Sequence, residues 1–217
     1  MKTKLIITAL LCALSVNAAR AEGISGNLGV SHTSDYYYRG AALSEDALQL
    51  NVGVGANVAG LDVSAGFLTN QAANDVNTDT LSFEIGKTVL DKTLALAAGV
   101  YNMETDGAAD HTQGYISAGL NVLLSPEVTI YRSTTDSLFT YEFGVSHGFD
   151  VGVADLTLAG LVGRTELTST TERDYGKFSA RLSKTFDAVT PHVQVALVDS
   201  DTTTTETVVC LGIDFKF

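Results

Sequence analysis

The chain has 217 residues, 45% of them hydrophobic, a formal net charge of −12 and no Trp. An acidic protein lacks the basic surface that a phosphate backbone requires, which excludes nucleic acid as a natural partner. The length suits one domain, and no break in composition divides it.

The N-terminus reads as a secretory signal. Lys2 and Lys4 supply the positive start, Leu5 to Leu14 form a short apolar run, and Ala19-Arg20-Ala21 has the small-x-small form of a cleavage site. Residues 1–21 are therefore expected to be a signal peptide, leaving 22–217 as the folded domain. The run is too short for a transmembrane helix. Leu11 stands before Cys12 where lipoprotein processing needs a small residue. Cleavage would remove three bases and Cys12, making the remainder more acidic and leaving Cys210 unable to form an intramolecular disulfide. Cys210 is expected to be a small inward-facing residue.

From residue 24 onward the chain alternates. Leu48, Leu50, Val52, Val54, Ala56 and Val58 interleave with Gln49, Asn51, Gly53, Gly55 and Asn57. After Ala59-Gly60 come Leu61, Val63, Ala65 and Phe67, interleaved with Asp62, Ser64 and Gly66. A period of two held across a two-residue turn is a hairpin. Continuing the count predicts about twelve strands of roughly ten residues, the length of a tilted membrane strand. The spans are 24–34, 46–58, 61–69, 80–89, 93–102, 112–122, 127–133, 138–149, 153–163, 174–185, 189–198 and 206–217. Connections after even strands are short. Most after odd strands (35–45, 70–79, 103–111, 164–173, 199–205) are longer and rich in Asp, Thr and Ser. The chain closes on Val209, Leu211, Ile213, Phe215 and Phe217 along one strand face, with Cys210, Gly212, Asp214 and Lys216 on the other.

Short turns at one end, long polar loops at the other and both termini on the short-turn side describe a transmembrane antiparallel up-and-down β-barrel of the bacterial outer membrane. A soluble sandwich or lipocalin-like barrel also alternates but buries its apolar face. Here the polar phase is rich in Gly, Ser, Asn, Gln and charge, which suits a wet lumen. Phase points Gln49, Asn51, Asp62, Glu84, Gln113, Tyr115, Asn121, Glu142, Asp155, Lys177, Arg181, Gln194 and Asp214 inward. Arg132 shares the outward phase of Val128 and Ile130 near the outer end, where its head can snorkel towards lipopolysaccharide. Twelve tilted strands give a backbone diameter of roughly 24 Å and, after side chains, a bore on the order of 10 Å. The small inward residues Gly53, Gly55, Ser64, Gly66, Ser117, Gly119, Gly144, Ser146 and Gly212 favour open space. For Lys177 and Arg181 two readings stand side by side, a pore-lining strip or a salt-bridged internal plug.

The outer loops carry many acids against Arg39, Arg164 and Arg173. A mouth of one sign repels co-ions, which predicts a preference for cations or neutral solutes. The competing reading is that acidic loops keep the surface solvated, bridged by divalent ions to lipopolysaccharide. No nucleophile–base pair is apparent. Ser146 and His147 are strand neighbours that face opposite ways. No enzyme activity, metal site or cofactor is expected.

The segment Asp35-Tyr36-Tyr37-Tyr38-Arg39-Gly40, with Gly29-Val30-Ser31 before it and Leu43-Ser44 after, resembles the N-terminal signature of the TorF-type porin family. The strands Ala47 to Ala56 and Leu61 to Phe67 resemble it too. The resemblance covers roughly 45 residues, implies an outer-membrane barrel with a pore role, and supplies no substrate. Physically the motif is a Tyr cluster at the outer end of strand one, with Arg39 able to pair with Asp35 or a lumen carboxylate and Gly40 permitting a sharp turn. It is either an interfacial girdle with an anchored turn or a constriction made by Arg39 folding into the bore.

The expected function is a porin for passive diffusion of ions or small hydrophilic solutes, lined by Arg39, Glu84, Tyr115, Glu142, Lys177, Arg181 and Asp214. The alternative is a closed structural or adhesion barrel. Expected partners are outer-membrane lipid, lipopolysaccharide and the barrel assembly machinery. In resembling families a terminal aromatic strand is the assembly signal, which assigns that role to Phe215 and Phe217. Oligomeric state is not written in a lipid face that is apolar throughout.

Overall fold

The computed structural model describes residues 23–72 and 76–217, so the expected signal peptide lies outside the described residues. Twelve strands follow in chain order: β1 (Ile24–Tyr38), β2 (Ala41–Val58), β3 (Leu61–Ala72), β4 (Thr78–Val89), β5 (Leu94–Thr105), β6 (His111–Leu120), β7 (Glu127–Ser133), β8 (Phe139–Asp150), β9 (Asp155–Thr168), β10 (Thr171–Ser183), β11 (Val189–Ser200) and β12 (Thr203–Lys216). Each pairs antiparallel with its sequence neighbours, and β12 pairs with β1 to close the barrel. Closure removes the edges that strands with one apolar face would otherwise expose.

The barrel is inside out. Phe83, Ile116, Val162 and Leu211 are 52%, 60%, 58% and 57% exposed on its outer face, while Asn70, Thr78, Gln113 and Thr140 are buried within it. A soluble barrel would reverse both sets. In a bilayer the apolar face meets lipid, and the continuous antiparallel ladder pairs the backbone of each strand with its neighbours. Above this band the outward phase turns polar. The Arg164 guanidinium donates twice to Asp174, at 2.6 and 2.7 Å, and lies 3.2 Å from Glu172. These charges mark where the outer surface rises into water.

The twelve strands fall where the alternation put them, but their outer ends run on. Four of the segments expected as long loops shrink to residues 39–40, 106–110, 169–170 and 201–202, and in the fifth β3 runs on to Ala72 and β4 starts at Thr78. The reason is physical. Above the membrane both strand faces are wet, so alternation vanishes from the sequence while cross-strand pairing continues. Asn102 donating to Thr112 at 2.8 Å is one such rung. In the β7–β8 turn, the Ser133 hydroxyl and then the Leu138 N–H hold the Asp136 carboxyl below its ordinary range.

Candidate functional site

The largest departure from expectation is the segment 35–45. It is not a loop but the outer half of the β1–β2 hairpin, closed by a two-residue turn at Arg39 (φ 50°) and Gly40 (φ 74°). Left-handed values at both central positions define the tight turn that matches strand twist, and Gly at the second supplies it without strain. This hairpin leaves the wall. Among the described residues, pairing of β1 with β12 ends at Thr33–Cys210, and pairing of β2 with β3 ends at Ala47–Ala72. Asp46 takes a positive φ of 52°, and the β1–β2 register shifts between Tyr36 and Tyr37. Such irregularities bend a strand pair. The Ser34 hydroxyl stands in for the lost neighbour by accepting from Val209 N–H at 3.0 Å.

Bent inward, the hairpin sends Arg39 across the lumen to Tyr131 on β7 and Glu142 on β8, while its turn docks on β10 and β11. Ser200 on β11 donates to the Gly40 carbonyl at 3.2 Å. A Cβ added at Gly40 would stand 2.7 Å from Tyr175 Cβ and 2.8 Å from Ser200 Cβ, so only Gly allows this approach. The Arg39 side chain is 7% exposed. Its guanidinium carbon lies 4.3 Å from the Tyr131 ring centre and 4.9 Å from that of Tyr38, and Nε lies 3.9 Å from Glu142 Oε1. The Tyr38 and Tyr101 hydroxyls are hydrogen-bonded, and Tyr101 donates to Gln113 Oε1 at 2.7 Å. At the hairpin's root Asn70 donates to Ser44 Oγ at 2.9 Å. Of the two readings of Arg39, the interfacial girdle gives way to the inward one, and its carboxylate neighbour is Glu142, not Asp35. The reason is that, among the described residues, the hairpin's sides have no continuing β-ladder with the wall above Thr33 and Ala47, whereas the lumen offers aromatic and hydroxyl partners.

Glu142 is the hub opposite the tip. Tyr131 donates to its Oε2 at 3.1 Å and Tyr175 to its Oε1 at 2.5 Å. Tyr115 donates to Glu84 Oε2 at 2.6 Å, and its ring lies 5.5 Å from that of Tyr131. Arg181 pairs with Asp214, and His192 Nδ1 lies 3.4 Å from Asp214 without hydrogen-bond alignment. Lys177 is exposed to the lumen and takes part in none of the ion pairs among the described residues. The two bases weighed together thus part company: Arg181 is salt-bridged and Lys177 is free. Phe215 pairs with Leu28 on β1 and Val189 on β11, and Phe217 exchanges backbone hydrogen bonds with Gly26 at 2.8 and 3.0 Å.

The hairpin divides the lumen. A chamber of about 460 Å³ separates it from β4–β8, bounded by Arg39, Glu84, Tyr115, Tyr131 and Glu142. A second, of about 400 Å³, separates it from β10–β12, bounded by Asp35, Arg39, Glu142, Lys177, Gln194 and Cys210. A third, of about 340 Å³, shares Glu142 and Lys177 with the second and continues to Ser125, Glu127, Ser146 and Ser179. The bore of on the order of 10 Å expected for twelve strands is therefore split in its outer half. The small inward residues do not simply leave space: Gly53 lies under the Asn27 amide and Gly212 under the His192 ring.

Sequence reasoning missed Tyr38, Tyr101, Tyr131 and Tyr175 as lumen residues. Tyr131 shares phase with Glu127 and Thr129, and Tyr175 with Lys177, so the period was visible. Tyrosine near an outer strand end simply reads first as an interface anchor. Ser146 bounds the third chamber, while the His147 ring stacks edge-on with Phe149 at 4.5 Å. Among the described residues no group of three or more His, Cys, Asp or Glu side chains could hold a metal ion.

A closed, inside-out, all-antiparallel barrel with a partitioned polar lumen has the fold of outer-membrane β-barrel proteins. Solved structures agree. The KdgM porin superposes with a TM-score of 0.59 at 13% identity, covering 88% of this chain and 99% of that one. The NanC porin gives 0.58 at 10% identity, covering 88% and 100%. An outer-membrane channel from Pseudomonas putida F1 gives 0.54 at 12% identity, covering 90% and 95%. Identities this low show a shared fold. No protein-family model and no curated protein matches the sequence.

Proposed function

We propose that this barrel is an outer-membrane porin through which small hydrophilic solutes and ions diffuse passively, with the β1–β2 hairpin as its constriction. The observation that carries the reading is the chain of chambers on both sides of Glu142. The two bounded by Lys177 share one wall, so the lumen beside the hairpin continues below it. The fold shared with the KdgM and NanC porins and the resemblance of Asp35 to Gly40 to the TorF-type signature support the same role.

The acidic outer shoulders favour cations and neutral solutes over anions at the mouth. Arg39, Glu84, Tyr115, Glu142 and Lys177 line the path, and the Arg181–Asp214 pair narrows it further along. Lipid and lipopolysaccharide surround the barrel, and the β12 end, with Phe215 and Phe217, is what the assembly machinery reads. The lumen performs no chemistry. Planar-bilayer recording of purified, refolded protein tests the reading: steady unitary conductance with a cation-favouring reversal potential is expected. Absence of conductance across voltages and salts would refute the pore, and an anion-favouring reversal potential would refute the preference.

A further inference from the structure

We propose that the chamber between the hairpin and β10–β12 is a binding station for small zwitterions, molecules with one carboxylate and one ammonium group such as free α-amino acids. The proposal deepens the porin reading and rests on it. The chamber's volume of about 400 Å³ falls in the range of small-molecule sites.

Its charged groups divide into spent and available. Glu142 already accepts from Tyr131 and Tyr175 and lies beside Arg39. Arg39 is enclosed between the Tyr38 and Tyr131 rings. Two groups of opposite sign are left. On the wall, Lys177 offers an ammonium exposed to the lumen and outside every ion pair among the described residues. On the hairpin, the Asp35 carboxylate has a single side-chain hydrogen bond among the described residues, from Ser34 at 2.8 Å. Both border the same chamber, with the Gln194 side chain between strands that carry them.

The outer acids and this pair act in series. A small anion is disfavoured at the mouth, and a small cation that enters gains at Asp35 only what it loses beside Lys177. An uncharged polyol passes both and is held by neither. A zwitterion has no net charge to be repelled, and its carboxylate and ammonium meet Lys177 and Asp35. Because Lys177 also borders the chamber below, a bound solute leaves its first partner on the side from which diffusion continues.

Uptake of radiolabelled L-alanine, propionate, propylammonium and glycerol into proteoliposomes tests this, with each rate expressed relative to glycerol. Alanine should enter about three- to fivefold faster than glycerol, the scale of one partly solvated ion pair. Lys177→Gln and Asp35→Asn should each abolish that advantage. The exchanged variant, Asp35→Lys with Lys177→Asp, should restore it, which a merely structural role would not produce. Heat-modifiable migration confirms that each variant is folded. Propionate entering faster than alanine, or alanine unaffected by both single variants, would overturn the station while glycerol flux leaves the porin standing. Wild-type barrels impermeable to glycerol would remove the porin reading and the station with it.

Discussion

Tyr175 donates its phenol proton to Glu142 Oε1 at 2.5 Å, reaching from β10 to β8 across the whole of β9. The reach exists because the residue in between is Gly163, which pairs with Glu142 on one side and Tyr175 on the other. The same device recurs on β4–β6, where Tyr115 crosses Gly99 to Glu84. Each is a row of Glu, Gly and Tyr across three strands, with the ring lying flat over the glycine. The device provides the lumen with fixed phenols and leaves each carboxylate accepting a hydrogen bond in a confined space.

Gly163→Ala should therefore cost about 1–3 kcal/mol, because a Cβ there would occupy the position of the Tyr175 ring. At Gly160 the nearest side-chain atom to an added Cβ would be Val145 Cγ2, at an ordinary 3.7 Å. Gly160→Ala should change stability little. Urea titration of the folded barrel, followed by heat-modifiable migration, compares the two; equal midpoints would contradict the account.

Glu142→Gln should loosen the hairpin. The amide keeps only one accepting oxygen, so the hydroxyl of either Tyr131 or Tyr175 must switch to accepting from the amide and its own proton loses its partner, at a cost of about 1–3 kcal/mol. The tip then loses its nearest negative charge beside Arg39. Single-channel traces should show added fluctuation between conductance levels and a weaker cation preference. Traces as quiet as wild type would place the hairpin's hold elsewhere.

Ile116→Arg tests the inside-out arrangement. Ile116 is the middle of the outward face of β6 and 60% exposed. At mid-depth a lipid-facing Arg costs about 2–4 kcal/mol. The folding free energy in lipid should fall by that amount, with Ile116→Leu near neutral. No loss for the Arg variant would mean that this face does not meet lipid.

Truncation before Phe215 should abolish assembly in the membrane. It removes the residues through which β12 pairs with Leu28 and Asn27 of β1, and the backbone hydrogen bonds of Phe217 with Gly26. Normal heat-modifiable barrels from the shortened chain would refute the assembly role.

The wall of this protein was legible because lipid on one side and water on the other impose a period of two on every strand, as at Leu48–Val58 and Val209–Phe217. The hairpin was not. Residues 34–46 are wet or buried against polar partners on both faces, so no period distinguishes a strand pair folded into the bore from a loop. Arg39-Gly40 looked like a turn, and it is one, but where the turn points depends on Asp46 and the register shift at Tyr36, which no local pattern announces. Gly99 and Gly163 were readable as strand glycines. That each makes room for the ring of the tyrosine paired with it on the next strand appears only once the register is known.

The central claim is that the β1–β2 hairpin sets the conductance of this lumen. Replacing residues 35–45 with Asn-Gly would join Ser34 to Asp46 through a turn suited to a hairpin and leave the wall pairing below Thr33 and Ala47 intact. With the partition gone, unitary conductance in a planar bilayer should rise at least about threefold. An unchanged or smaller conductance in folded barrels of that variant would contradict the account.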